Sequence, residues 1–335
     1  MLRLGILGYD HPHAYRVHKW GLQQVAHQVR VVAIADPDAG RVQADVAAYG
    51  ARYFRDYQDL LAWDQVDAVL ITTVNALHAR QAREAAQAGK HVLCEKPVCL
   101  DLEEGMAAVE ACRQAGVVFA TAFPVRHAPE AQQARARIAQ GALGELWAIN
   151  ATNHGNAYAA AGTPDWVWDP ARSGGGSVAD HTVHCADLIR WFTGSEVAEV
   201  YAETATLFRP GLPVEDAGLL HLRLELGVIA SIDASWSRLP NYPGWGDLTM
   251  HCTGSRGSLF LEFGGEVVRL FGDDPARRSL PCGPNPYAAM FLDFARAVRE
   301  GTAPLATGYD GVKASEMFLA AYESVRVGKP VSLPL

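Results

Sequence analysis

The sequence predicts an α/β protein in two parts: a doubly wound parallel sheet first, then an α+β part on a large, mostly antiparallel open sheet. Three observations predict it. Up to residue 122, short and almost continuously apolar runs alternate with amphipathic stretches, as parallel strands do when crossover helices cover both faces. Beyond Phe123, long segments alternate apolar and polar residues with period two, the mark of a sheet with one face buried. The chain has 335 residues, 49% of them hydrophobic and 20% charged, enough for two cores. We therefore divide it into residues 1–122 and 123–335.

In the first part the strand candidates are "LRLGIL" (Leu2–Leu7), "RVVAIA" (Arg30–Ala35), "DAVLITT" (Asp67–Thr73), "HVLCE" (His91–Glu95) and "VVFATA" (Val117–Ala122). Helices are expected near Ala14–Ala26, Asp38–Tyr49, Ala76–Ala88 and Leu102–Ala115, with Gly89 where a helix C-cap belongs. In the second part "PEAQQARARIAQGALGE" reads as a helix ending at Gly141, and "LWAINATNH" as a strand. A loop rich in Gly, Pro and Trp spans Gly155–Gly176, and a helix runs from about Ser177 to Phe192. In "EDAGLLHLRLEL", Leu220, Leu222, Leu224 and Leu226 share one face; in "VIASIDASWSR", Ile232, Ala234 and Trp236 do. Shorter strands follow near Leu248–Cys252, Ser258–Phe263 and Val267–Phe271, then helices near Tyr287–Arg299 and Gly311–Val327.

Charge and composition narrow the function. A net charge of −8 and a pI near 5.8 argue against nucleic acid and anionic membrane, which need clustered Lys and Arg, and favour a small ligand. No apolar run reaches the roughly 20 residues of a membrane span, and strand-like sequence begins at Leu2 where a signal peptide would stand. The six cysteines (Cys94, Cys99, Cys112, Cys185, Cys252, Cys282) form no CxxC pair, so reduced thiols in a cytoplasmic protein are expected.

The chemistry-bearing residues fall where open parallel sheets bind ligands, beyond the carboxyl ends of the strands. "GYDHPH" follows the first strand. Gly8 sits at the sharp turn, but Asp10 and His13 stand where a G-x-G-x-x-G loop has its second and third glycines. Asp10 can cap the following helix and would then repel a pyrophosphate, Pro12 suits a first helical turn, and against that repulsion His11 or His13 can donate to phosphate oxygens. Asp36 closes the second strand, where an acid accepts from an adenosine ribose and repels a 2′-phosphate, favouring NAD over NADP; it equally suits the N-cap of the next helix. The later strands end at Thr72, Thr73 and Asn75, then at Glu95, Lys96 and Pro97, with Pro97 holding Lys96 extended.

"AGKHVLCEKPV" resembles the signature of the Gfo/Idh/MocA oxidoreductases, the family of glucose–fructose oxidoreductase and inositol 2-dehydrogenase. "SGGGSVADHTVHCADLIRWFTG" is similar to that family's GGG-x-x-x-D-x-x-x-H-x-x-D helix, and the C-terminal "NPYAAMFLDFARAVREG…GKPVSLP" is a third match, so the resemblance runs from Leu2 to Pro334. It implies a Rossmann N-terminal domain, NAD as cofactor, and a dehydrogenase of sugars, polyols or cyclitols forming homodimers or homotetramers. It carries Lys96, Asp180 and His184 over as catalytic residues: His184 as general acid/base, Lys96 holding the substrate oxygen, Asp180 orienting the pair. Independently of any resemblance, Asp180 and His184 lie one helical turn apart, where an acid stabilises an imidazolium. Cofactor contacts are expected from Gly8, Tyr9, Asp10, His11, Pro12, Asp36, Thr72, Thr73, Asn75, His78, Glu95 and Lys96. Substrate contacts are expected from Asn153, His154, Trp166 and Arg172.

Two departures from the family pattern matter: Asp10 replaces a glycine, and Thr182 replaces the glycine of D-x-G-x-H and follows an added His181. Asp10, His11, His13, Asp180, His181 and His184 are all chemically able to ligate a divalent ion if the loop and the helix face one cleft. Histidines beside an anionic cofactor have a simpler purpose, and no metal is assigned. Two rivals keep the fold: a redox-recycling lyase, epimerase or glycosidase, and a dinucleotide- or sugar-sensing regulator without turnover.

Overall fold

The computed structural model describes residues 1–156, 163–239, 241–242, 246–263, 267–269, 279–281 and 284–335. The chain forms two compact units, residues 1–127 with 285–312 and residues 128–284 with 313–335.

The first unit begins with β1 (Leu2–Leu7), a π-helical turn Ala14–His18 that runs into α1 (Lys19–Gln24), β2 (Val29–Ala35), α2 (Ala39–Tyr49), β3 (Arg52–Phe54) and α3 (Tyr57–Ala62). It continues through β4 (Ala68–Ile71), α4 (His78–Gln87), β5 (His91–Cys94), α5 (Leu102–Ala115) and β6 (Phe119–Thr121). The six strands are parallel in the order β3-β2-β1-β4-β5-β6. The order reverses between β1 and β4, and there the carboxyl ends of the strands open a crevice. The expected strands are all present. β3 and α3 are additions, and the helix expected over residues 14–26 is shorter and begins as the π-turn.

The later elements are α6 (Pro129–Ala139), β7 (Leu146–Gly155), α7 (Pro170–Ser173), α8 (Ser177–Thr193), β8 (Val197–Ala205), β9 (Ala217–Leu224) and β10 (Ile229–Ser235). Then come β11 (Gly246–Gly254), β12 (Gly257–Phe263), β13 (Val267–Arg269), β14 (Ser279–Pro281), α9 (Pro286–Glu300), α10 (Gly308–Val327) and β15 (Val331–Ser332).

A single cut between residues 122 and 123 does not describe the division. α9 belongs to the first unit: its Met290, Phe291 and Phe294 are buried with Leu4 and Ile6 of β1, Val29 and Val31 of β2, and Leu22 of α1. Burial of each such side chain is worth about 1.5–3 kcal/mol. The short α1 leaves part of that sheet face bare, and α9 covers it. The alanines of α4 (Ala79, Ala82, Ala85) and Ala108 of α5 cover the opposite face.

In the second unit seven strands lie in the order β12-β11-β7-β10-β9-β8-β15, antiparallel except for the β7–β10 pair. α8 packs on the face that carries Ile149 and Ala151, Leu220 and Leu222, and Ile232 and Ala234, all buried. Gly218 is needed on that face, because a Cβ there would stand 2.2 Å from Val178 of α8. Leu226 is not part of this set. It lies in the turn after β9 and is exposed. The opposite face bears exposed Leu219, Ile229 and Phe260. Part of the Gly155–Gly176 loop, the end of the expected Val267–Phe271 strand, and Cys282 lie outside the described residues.

Candidate active site

In the first unit the turn after β1 is tied to its neighbouring strand exits. Gly8 has φ +76°, and a Cβ on it would stand 2.3 Å from Thr73 Cγ2, so only glycine fits. The Thr72 hydroxyl donates to the Gly8 carbonyl (2.5 Å), and His11 N–H donates to the Thr72 carbonyl (3.0 Å). Thr73 donates to Gln81 Oε1 (2.6 Å). A cavity of about 540 Å³ opens beside this turn, lined among others by Gly8, Asp36, Pro37, Arg55, Thr73 and Leu77.

Asp36 is buried, and both of its carboxylate oxygens are engaged. They accept from Tyr9 N–H (2.8 Å), Asp38 N–H (2.8 Å) and the Arg41 guanidinium (2.8 Å). Arg41 also reaches Asp10 (3.0 Å). Asp10 therefore does not face a pyrophosphate as a bare carboxylate; Arg41, absent from the expected set, balances it. A guanidinium five residues after an acid at a strand end was a readable signal for such a bridge.

Glu95 follows β5 and is almost fully buried. Its Oε1 lies 2.9 Å from His13 Nδ1 and 2.5 Å from His18 Nε2, and its Oε2 accepts from the Lys96 N–H (3.0 Å). Burial acts to raise the Glu95 pKa, but His13 and His11, with the hydrogen bonds of His13 and His18, hold the carboxyl well below the usual range. Burial, reinforced by nearby His13, pushes the buried His11 imidazole well below its ordinary value. Lys96 is buried at the strand exit, joined to Pro97 by a cis peptide bond. Asn75 is buried at the start of the turn before α4, and Pro12 precedes the π-turn.

His78 departs from expectation. Its Nδ1 lies 2.7 Å from the Pro97 carbonyl and its Nε2 3.1 Å from the Thr73 carbonyl, and burial lowers its pKa. With both ring nitrogens facing backbone, His78 struts two strand exits together and does not present an edge to a cofactor.

In the second unit α8 starts on a glycine run that crowding requires. A Cβ on Gly175 (φ +141°) would stand 1.9 Å from Tyr322 Oη, and one on Gly176 1.9 Å from the Glu215 carbonyl oxygen. The Glu215 carboxylate caps the helix start, accepting from Gly176 N–H (2.9 Å), Val178 N–H (2.9 Å) and Tyr322 O–H (2.8 Å). Sequence reasoning missed this acid, which lies 39 positions from the glycine it caps.

From Ser177 to Arg190 every residue of α8 is buried except Asp180 and His184. The Trp236 indole N–H donates to Asp180 Oδ2 (3.2 Å). The added His181 is enclosed, with Nδ1 2.7 Å from the Asn153 carbonyl and Nε2 3.2 Å from Asp180 Oδ2. It supports the helix within this unit.

The substrate candidates separate. Asn153 and His154 are successive strand residues and so point to opposite faces. Asn153 lies buried on the α8 face; its Nδ2 donates to the Asp247 carbonyl (3.0 Å), while its Oδ1 meets no partner among the described residues. His154 lies on the other face, against Asp247 (3.1 Å) and Asp233 (3.2 Å) and 2.9 Å from Arg238, so it does not line a site with Asn153. Trp166 is buried and Arg172 is exposed at the end of α7.

Residues 2–123 match the family described as "Oxidoreductase family, NAD-binding Rossmann fold", and residues 131–260 match its "GFO/IDH/MocA C-terminal domain". The chain belongs to the Gfo/Idh/MocA oxidoreductase family. It is 30% identical over 95% of its length to the Bacillus subtilis oxidoreductase YrbE, covering 93% of that protein. It is 27% identical over 99% of its length to the scyllo-inositol 2-dehydrogenase (NAD(+)) of Bacillus subtilis, covering 95% of that protein. Among solved structures, the WlbA dehydrogenase of Bordetella pertussis, in complex with NADH and UDP-GlcNAcA, superposes with a TM-score of 0.84 at 27% identity, over 100% of this chain and 98% of that one. The residue pattern, the sheet order and these family members agree on an oxidoreductase.

Proposed function

We propose that this oxidoreductase is a dehydrogenase that moves a hydride between NAD(H) and a hydroxyl-bearing carbon of a sugar, polyol or cyclitol. The observation that carries the reading is α8, which buries everything along its first four turns except one acid and one histidine spaced a turn apart. A purely structural helix has no need to leave such a pair partly exposed.

The first unit fits the cofactor: a glycine no side chain can replace at the turn after β1, beside a cavity of about 540 Å³ at the switch in strand order. NAD(H) held by this unit would supply the hydride acceptor or donor. Lys96 holds the substrate oxygen and stabilises negative charge as it develops. His184 removes the hydroxyl proton in oxidation and returns it in reduction. Asp180, fixed by the Trp236 indole, supports the imidazolium one turn away and accepts from a neighbouring hydroxyl. The buried Asn153 Oδ1 is suited to a hydroxyl donor of the substrate. Two acids, Asp36 and Asp10, around a single guanidinium favour a ribose without a 2′-phosphate, hence NAD over NADP.

The buried thiols of Cys94, Cys99, Cys112, Cys185 and Cys252 support a reducing, cytoplasmic setting. Exposed Leu219, Ile229 and Phe260 on the uncovered sheet face support a homodimer or homotetramer. The reading is tested by following NADH formation with a panel of sugars, polyols and cyclitols. Net NADH with at least one member, formed about 10²–10³ times more slowly in Lys96→Met, is the expected result. Turnover of a sugar without net NADH would instead establish the redox-recycling alternative.

A further inference from the structure

The His11, His13 and Glu95 cluster asks for more than cofactor binding explains. Three imidazoles, from His11, His13 and His18, surround one carboxylate that is 1% exposed. One protonated histidine would balance its charge. Surrounding it with three, two of them fully enclosed, is costly for imidazolium ions and well suited to neutral ligands around a cation.

We propose that His11, His13 and Glu95 form a three-ligand site for a divalent transition-metal ion of the zinc class. One ligand atom from each lies within 4.8 Å of the others, and no other set of three His, Cys, Asp or Glu side chains among the described residues comes together in this way. Zinc bonds of about 2.0–2.1 Å set tetrahedral neighbours about 3.4 Å apart, a contraction that rotation of the side chains supplies. Two imidazoles and a carboxylate form a common set of three protein ligands for zinc, leaving a fourth position for water or substrate.

The surroundings match what orients a ligating carboxylate. His18 Nε2 meets Glu95 Oε1, and the backbone N–H of Lys96 meets Oε2, so Glu95 is held from two sides. His18 itself is fixed edge-on against Tyr287 and Phe291 of α9 (ring centroids 5.7 and 5.6 Å), which prevents it from swinging away. The rings of His11 and His13 lie with centroids 4.3 Å apart at an interplanar angle of 63°, so they are not stacked face to face. The two histidines come from one short loop and the carboxylate from the end of β5, two strands away in the sheet. This differs from the pooled set of loop and helix residues considered from sequence: Glu95 joins, while Asp10 is bonded to Arg41 and His181 to the second unit's own groups. The inference does not rest on the dehydrogenase reading.

The test uses the full chain without a histidine tag, stripped with EDTA, incubated with Zn²⁺ alone and desalted before elemental analysis. About one zinc per chain is expected, with affinity lowered at least ~10-fold in His11→Ala and in His13→Ala, and unchanged in the surface variant His221→Ala. His13 is partly exposed, so its variant is the one expected to fold; thermal melts with and without Zn²⁺ add a second readout, rising for the wild type and unmoved for His13→Ala. Only a small fraction of an equivalent retained by a folded wild type, or equal retention by His13→Ala, would overturn the site.

Discussion

The loop after β1 and helix α8 both bring acids and histidines together, and they do so in opposite ways. In the loop, the acids and histidines are gathered inward: Glu95 is enclosed by His13 and His18, and Asp36 by Arg41 and two backbone N–H groups. On α8, the stretch from Ser177 to Arg190 is enclosed, and within it only Asp180 and His184 are left partly exposed. The difference separates two tasks. Enclosed, mutually bonded charges fix a backbone or hold an ion, because moving any one of them exposes another without a partner. A half-covered acid–histidine pair can exchange protons with a ligand that arrives and leaves.

The largest effect should come from the α8 side. His184→Asn keeps the ring's approximate size and polarity but removes the proton acceptor, and kcat should fall by about 10²–10⁴. Lys96→Met should cost about 10²–10³. NAD affinity by titration should stay within a few-fold of wild type in both. If the two residues serve one substrate, the double variant loses much less than the product of the single losses. Losses that multiply would separate the two roles and break the comparison at its strongest point.

A smaller effect tests the enclosed side. In Asp36→Ser, Arg41 keeps its contact with Asp10 but loses the Asp36 carboxylate, so its second terminal nitrogen can turn to a 2′-phosphate. A new charge-assisted hydrogen bond is worth about 1.5–3 kcal/mol, so the ratio of kcat/KM with NADP to that with NAD should rise at least ~10-fold. An unchanged ratio would mean that the Asp36–Arg41 pair only braces the turn.

These residues also mark how far the sequence could be read. The doubly wound sheet was legible because β1, β2, β4 and β5 are apolar runs bounded by turn residues, a local property. The three-residue β3 lacks the length to carry such a signal. The recruitment of α9 to the first unit was hidden because it depends on space left by a short α1 far earlier in the chain. On α8, the shared face of Asp180 and His184 was legible through helical spacing. His154 was misplaced beside Asn153 although strand alternation forbids it. The His13–Glu95 and His18–Glu95 contacts join residues 82 and 77 positions apart, which no local pattern announces.

Trp236→Phe sharpens the α8 side by removing only the indole N–H that fixes Asp180, while an aromatic ring still meets Trp168. Loss of one hydrogen bond to a carboxylate at a partly covered site should cost about 1 kcal/mol in the barrier, roughly fivefold in kcat. The pH profile of kcat should shift with it, because Asp180 then supports the His184 imidazolium less firmly. A kcat change with no movement of the profile would reassign Trp236 to packing.

The smallest effect concerns Glu215, the acid that caps α8 but is kept off the reaction. Burial raises its pKa, against the opposing hydrogen bonds from Tyr322, Val178 and Gly176. A carboxyl whose folded pKa lies above its unfolded value adds stability below the unfolded pKa, near 4.3, and loses that contribution as pH rises through the folded value. Glu215→Gln keeps an acceptor for the two backbone N–H groups and cannot ionise. The urea midpoint of Glu215→Gln relative to wild type should therefore move in the variant's favour between pH 4 and pH 7, whatever the offset at pH 4. Movement toward wild type over the same interval would mean that the N–H groups at the helix start and the Tyr322 hydroxyl outweigh burial. Glu215 would then behave like Glu95, a carboxylate that its surroundings hold ionised.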